Sequence, residues 1–359
     1  MYVHEQLGRL KVAISVMIAP QTIAMGIFGV GSNREEDMHI LYHPSVLAHN
    51  TGLHPECPER LLAFEGLEPV HAPTDGTPYL GLIHPHAYVE HVRMHCSLGA
   101  PLDVDTPTSP GSFEAATAAV GLTVQAMFER ALALVRPPGH HAYRSAAHGF
   151  CLFNNIAIAT KYALHEGKRV LILDIDGHLG DGTMDIFYQT DQVLFWSLHQ
   201  YPTYPGNGAP DEIGEGRGKG FTINTALPAG SGDDIMVHGF EYMLPIARAF
   251  EPDLVAVSAG FDAHQFDPML QLRASGHFYH TVGRQLADNF QGKVFGALEG
   301  GYNTAYLPGC VANFLAGVNG QPMAFKEAPT CSGPRTWETY ELHLGVSAGL
   351  LSKYWKYGP

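Results

Sequence analysis

The 359-residue chain is 45% apolar and 16% charged, a balance that excludes disordered and fibrous classes and provides amply for a buried core. Its 21 basic and 35 acidic residues leave a net charge of −14, which argues against nucleic acid as principal partner and suits a cationic one. Five widely spaced cysteines (Cys57, Cys96, Cys151, Cys310, Cys331) form no CxxC pair, so a disulfide framework and thiolate metal sites are unsupported and the expected compartment is cytoplasmic.

In chain order, residues 1–37 come first, as an extension outside the fold. Positions 12–30 are mostly apolar but are broken by Ser15, Pro20, Gln21 and Thr22, with only Arg9 and Lys11 as a basic start. A spanning helix needs about 20 apolar residues, so a membrane anchor is the weaker alternative to a mis-assigned start, with Met38 as the true one. From 38 to about 355, short apolar runs alternate with amphipathic stretches, the mark of βαβ units in one α/β domain. Predicted strands cover 39–42, 131–135, 170–174, 193–198, 221–224, 254–258 and 294–298. Predicted helices cover 113–129, 156–166, 183–188, 234–250 and 278–290, with a closing helix at 337–351. The runs VLILD, VLFWSL and LVAVS are apolar on both faces and read as central parallel strands. Ser231 or Asp233 is expected to cap the helix at 234.

Four of these strands are each followed by a polar motif: RPPGHHA (136–142), DIDGHLGDGT (174–183), AGFDAH (259–264) and EGGYN (299–303). Ligands of parallel α/β sheets bind outside the carboxyl ends of the strands, so four such ends argue for a site. Asp176 and His178, two apart in a chain expected to be extended, would face one ion, with Asp262 as third ligand. Three protein ligands and an open position are the catalytic pattern for zinc. The bland alternative is that these acids cap the next helix. His140 and His141 lie on a turn stiffened by two prolines and suit proton transfer, with Asp174 and Asp181 available to hold their tautomers. Tyr302, after two glycines, is a candidate oxyanion donor.

These motifs, with SLHQYPTYPGNG (197–208), HPECPERL (54–61) and the longer RPPGHHAYRSAAHGFCLFNN (136–155), resemble the histone deacetylase superfamily, including deacetylase-like amidohydrolases. The resemblance runs in order from about 39 to 318 and implies the arginase-deacetylase fold, a parallel sheet of about eight strands between helices. By position it makes Asp176, His178 and Asp262 the ligands of one Zn2+ per chain. It pairs His140 with Asp174 and His141 with Asp181, and makes His141 the general base and acid and Tyr302 the carbonyl-polarising group. It also implies that the Gly149 carbonyl accepts the substrate amide N–H and that Phe150 and Tyr204 wall an acyl-lysine tunnel. Asp105 would grip substrate at the rim, and Arg60 would line an acetate exit. A structural K+ would lie at Asp174, Asp176, His178, Ser197 and Leu198.

The chain departs from that pattern at Leu179, where the family commonly has a second histidine, and at Ile175 and Gly177, where bulkier residues are common. Met269 stands where polyamine-specific relatives can carry a glutamate gatekeeper. The implied reaction is hydrolysis of N-acetylated or short-acyl amines such as acetyl-lysine. Its alternatives are an acetylpolyamine or small-metabolite deacetylase, a binuclear manganese ureohydrolase, and a catalytically silent acyl-lysine binder.

Overall fold

The computed structural model describes residues 37–356; the extension expected at 1–37 lies outside the described residues except for Asp37. From the first described strand the elements are β1 (Ile40–Leu41), α1 (Glu59–Leu62), α2 (His86–Leu98), α3 (Ser112–Glu129), β2 (Leu132–Ala133), α4 (Asn155–His165), β3 (Val170–Asp174) and α5 (Asp181–Phe187). There follow β4 (Val193–Gln200), β5 (Thr222–Leu227), α6 (Asp233–Ala249), β6 (Leu254–Ala259), α7 (Gly276–Phe290), β7 (Val294–Leu298), α8 (Leu307–Val318) and α9 (Pro334–Leu351).

Every residue of β3, β4, β6 and β7 is buried, which is why their sequences run apolar without alternation. The strands form one parallel sheet in the order β1-β2-β7-β6-β3-β4-β5. Seven strands are present among the described residues, against the eight or so expected. Helices flank the sheet: α3 packs on α4, α4 on β3, β6 and β7, and α6 on β4 and β5. The arrangement is a single α/β domain with a parallel sheet between helices, as expected. Strands β2, β7, β6 and β3, whose carboxyl ends carry the four polar motifs, are consecutive neighbours, so residues 34 to 160 positions apart are delivered to one edge.

One expectation is corrected. Gly232, rather than Ser231 or Asp233, is the N-cap of α6, and it lacks a side chain to bond. The Ser231 hydroxyl donates instead to the Pro228 carbonyl at 2.7 Å. The Asp233 carboxylate accepts from Ser275 N, Ser275 Oγ and Thr330 N at 2.8, 2.6 and 2.9 Å, tying the start of α7 to that of α6. The sequence reading also missed α2 and α8. In α8, Leu307, Cys310, Val311 and Phe314 are buried at helical spacing, but glycine and a starting proline mask the period.

Candidate active site

Asp174 ends β3, and Asp176 and His178 follow on a bend, not on extended chain as expected. The bend is built from side chain to backbone: Asp174 Oδ1 accepts from Asp176 N at 3.1 Å, and Asp176 Oδ1 from His178 N at 2.9 Å. Such i to i+2 bonds are the usual habit of aspartate in turns. They aim Asp176 and His178 toward Asp262, which follows β6, and one ligand atom from each of the three lies within 4.8 Å of the others. His178 Nδ1 is 2.7 Å from Asp262 Oδ2 and 3.4 Å from Asp176 Oδ1. All three residues are buried.

Glycines make room for this cluster. A Cβ on Gly260 would stand 1.9 Å from Asp176 Oδ2, and one on Gly300 would stand 2.6 and 2.7 Å from carboxylate oxygens of Asp176 and Asp262. Gly300 N also donates to Asp176 Oδ2 at 2.7 Å, and Gly177 N to Asp262 Oδ1 at 2.6 Å. Burial disfavours charge on His178, but Asp262 and Asp176 outweigh it and raise the imidazole to about 10. Two carboxylates and an imidazole, buried and converging, fit a zinc-class cation, whose binding displaces the imidazole proton.

Beside this cluster the predicted histidine pairs form. His140 Nδ1 is 3.1 Å from Asp174 Oδ2, and His141 Nδ1 is 2.6 Å from Asp181 Oδ1. Burial lowers His141 to about 4, reinforced by the charge of His140, so its ring is neutral near pH 7. Burial pushes Asp174 up to about 6, opposed by His140. The Asp181 carboxyl is held below the usual range: burial opposes this, but bonds to His141 and His148 prevail.

Tyr302 lies two residues beyond Gly300, with its backbone N–H on Asp267 Oδ2 at 2.7 Å and its ring edge-on to Phe150 at 5.8 Å. Burial raises its phenol well above the ordinary value, and Asp262 and Asp176 add to this against Arg60, so the hydroxyl keeps its proton. The Arg60 guanidinium is 4.9 Å from the Tyr302 ring centroid and donates through Nε to the Gly301 carbonyl at 2.6 Å. Gly149 is squeezed between His141 and Tyr204, where a Cβ would come within 2.5 and 2.9 Å of them, and its φ is +50°. Phe150 is also left-handed at φ +70°, a conformation costing roughly 1–3 kcal/mol in a non-glycine residue. Its N–H reaches Thr106 Oγ1 at 3.2 Å. Asp105, half-buried, is the next residue to that threonine. In the sheet Asp174 is registered beside Ser197, with Leu198 next along β4.

The Met269 backbone N–H donates to Asp267 Oδ1 at 3.1 Å. Leu270 is the side chain against Gly177, where a Cβ would meet it at 2.4 Å. Buried Leu179 packs beside Gly208, so an apolar contact stands where a second histidine is common.

The sequence reading passed over several residues of the site. Buried Glu299 accepts from Gly139 N and His140 N at 2.6 and 3.1 Å and holds the histidine turn; burial raises it to about 7. Asp267 fixes the Tyr302 backbone. Glu56 chelates Arg136 through two 2.6 Å bonds and meets Arg60 at 3.2 Å, all three side chains being fully buried. Tyr143 and His148 share the second oxygen of Asp181, at 2.8 and 3.3 Å. A histidine or acid in a loop carries no signal of its own unless its partner's position is known.

Comparison with known proteins bears on this arrangement. A family model described as "Histone deacetylase domain" matches residues 54–318. A protein of Archaeoglobus fulgidus named "Probable deacetylase" is 38% identical over 293 residues, covering 74% of this chain and 81% of that one. The "Histone deacetylase-like amidohydrolase" of Pseudomonas aeruginosa is 37% identical over 255 residues, covering 66% of this chain and 67% of its own. The solved HDA15 HD domain superposes with a TM-score of 0.79 at 31% identity, covering 89% of this chain and 96% of that one.

Proposed function

This chain belongs to the histone deacetylase family, and from that premise we propose that it removes acetyl or other short acyl groups from amines such as acetyl-lysine, with one zinc ion per chain at Asp176, His178 and Asp262. As a class it is a hydrolase of amide bonds. The observation that carries the finer reading is the buried three-ligand cluster beside a neutral His141 bonded to Asp181 at 2.6 Å.

A zinc ion bound there would supply Lewis acidity toward the acyl oxygen and the attacking water. His141, oriented through Nδ1 by Asp181, accepts the proton of the water at Nε2 and passes it to the departing amine nitrogen. His140 with Asp174 stays as a charged neighbour. The Tyr302 hydroxyl donates to the oxyanion as the carbonyl becomes tetrahedral. The Gly149 carbonyl accepts the substrate amide N–H, and the rings of Phe150 and Tyr204 flank the alkyl stem while excluding water. Asp105 accepts backbone N–H groups of a peptide at the rim, and Arg60 guides the released acetate. K+ at Asp174, Asp176, His178, Ser197 and Leu198 would brace the β3 and β4 ends. A cytoplasmic location suits the free cysteines, and among the described residues no helix is long and apolar enough to cross a membrane.

The test is a panel of N-acylated amines offered to metal-analysed protein, scoring acetate and free amine in equal amounts. Acetyl-lysine peptides should be cleaved. Binding of these peptides without any turnover would instead establish the silent acyl-lysine binder.

A further inference from the structure

A second group of ligands lies on the solvent side of the same site and shares no residue with the first. His141, His148 and Asp181 each offer one ligand atom, and these atoms lie within 4.8 Å of one another. Asp181 is the hinge of the group: Oδ1 is 2.6 Å from His141 Nδ1, and Oδ2 is 3.3 Å from His148 Nδ1. Asp181 and His141 are buried, while the His148 side chain is 30% exposed, which leaves an approach from solvent. The His148 ring stacks on Tyr204 at 5.2 Å, so its position is fixed by packing as well as by the carboxylate.

We propose that His141, His148 and Asp181 form a second divalent-cation site, of zinc type, and that filling it silences the enzyme. The ion site stands on this geometry alone; the silencing rests on the role given to His141 under the proposed function. Two imidazoles and a carboxylate are a zinc ligand set, with the fourth position open to water from the His148 side. Ligand atoms around a tetrahedral zinc at ~2.0–2.2 Å sit about 3.3 Å apart. His148 Nδ1 already stands at this spacing from Asp181 Oδ2, while His141 Nδ1, 2.6 Å from the other carboxylate oxygen, must shift for one ion to be shared. Binding at His141 Nδ1 requires the single proton of the neutral ring, now between Nδ1 and Asp181, to move to Nε2. Nε2, the atom that takes the proton from the attacking water, is then already occupied. It can no longer act as a base. The first ion suffers no such effect, because its ligands lie in the other cluster.

The full chain, loaded with one equivalent of Zn2+, is titrated with further Zn2+ by calorimetry while acetate release is followed and normalised to the one-ion value. The expected result is a second, weaker binding event that brings turnover toward zero in step with occupancy. His148→Phe keeps a ring against Tyr204 but has no donor nitrogen. It should retain the first ion, lose the second event, and need at least tenfold more Zn2+ for half-inhibition. Absence of a second event, a second event without inhibition, or an unchanged inhibition midpoint in His148→Phe would overturn the inference. Its failure and that of the one-zinc reading are separable, since the latter is tested by Asp262→Ala on the first ion.

Discussion

Replacing Gly260 with alanine tests whether the ligand cluster is held as tightly as its surroundings imply. The added Cβ would stand 1.9 Å from Asp176 Oδ2, 2.4 Å from its Cγ and 2.5 Å from its Cβ. To regain ordinary contact at 3.4 Å the carboxylate must retreat by about 1.5 Å. It cannot do so freely, because Oδ2 accepts from Gly300 N at 2.7 Å and Oδ1 from His178 N at 2.9 Å. Overpacking of this kind costs about 1–3 kcal/mol, and each charge-assisted bond broken adds about 1.5–3 kcal/mol. Metal-ligand distances tolerate only about 0.2 Å, so a shift of this size removes a ligand. At roughly 3 kcal/mol for that loss, zinc affinity falls on the order of 100-fold. The assay is zinc content after equilibration in chelator-buffered zinc, with melting followed by circular dichroism. Gly345→Ala is the control: it lies exposed in α9 with nothing within 4 Å of its Cβ, and should raise the melting temperature slightly without touching the ion. A folded Gly260→Ala protein with full zinc at wild-type affinity would refute the placement of Asp176.

Other consequences follow from single contacts. His141→Ala should lower turnover by roughly 10²–10⁴-fold, and Tyr302→Phe by roughly 10²–10³-fold, with zinc content retained in both by elemental analysis. Glu56→Gln should destabilise the fold by about 3–5 kcal/mol in urea titrations, because it leaves Arg60 and Arg136 buried with one acceptor weakened. Burial alone would raise the Glu56 carboxyl, but Arg136, His49 and Arg60 hold it at about 2. Its stabilising effect is therefore complete above the ordinary value of 4.5 and is lost as pH falls toward 2, so acid denaturation should be steeper in the wild type than in Glu56→Gln. Met269 brings no charge to its loop, so acetyl-lysine peptides should be preferred over N-acetylated spermidine by kcat/KM. Met269→Glu should shift that ratio toward the polyamine; an unchanged ratio would remove Met269 from the account.

The central strands were legible because burial on both faces leaves a continuous apolar run, as in VLILD, and the site motifs were legible because each sits directly after such a run. Their meeting was not legible from local sequence. That β7 and β6 insert between β2 and β3 is a property of the sheet order, and only this brings Glu299 to the His140 turn and Asp262 to His178. The direction of Asp176 and His178 was anticipated on the wrong geometry, since aspartate side chains bonding their own backbone replace the extended chain with a bend. Asp267 was hidden for a different reason: its partners are backbone N–H groups of residues 269, 302 and 303, which have no residue-type signature. The helices α2 and α8 were lost to short buried stripes and to Gly and Pro within the run.

The account turns on one ion at Asp176, His178 and Asp262 serving amide hydrolysis. The most direct test strips wild-type protein and Asp262→Ala with chelator, restores one equivalent of zinc to each, and measures bound zinc and acetate release from an acetyl-lysine peptide. Wild type should regain one ion per chain and full turnover, while Asp262→Ala, still folded by circular dichroism, should regain neither. Zinc bound and acetate released at wild-type levels by Asp262→Ala would contradict the account.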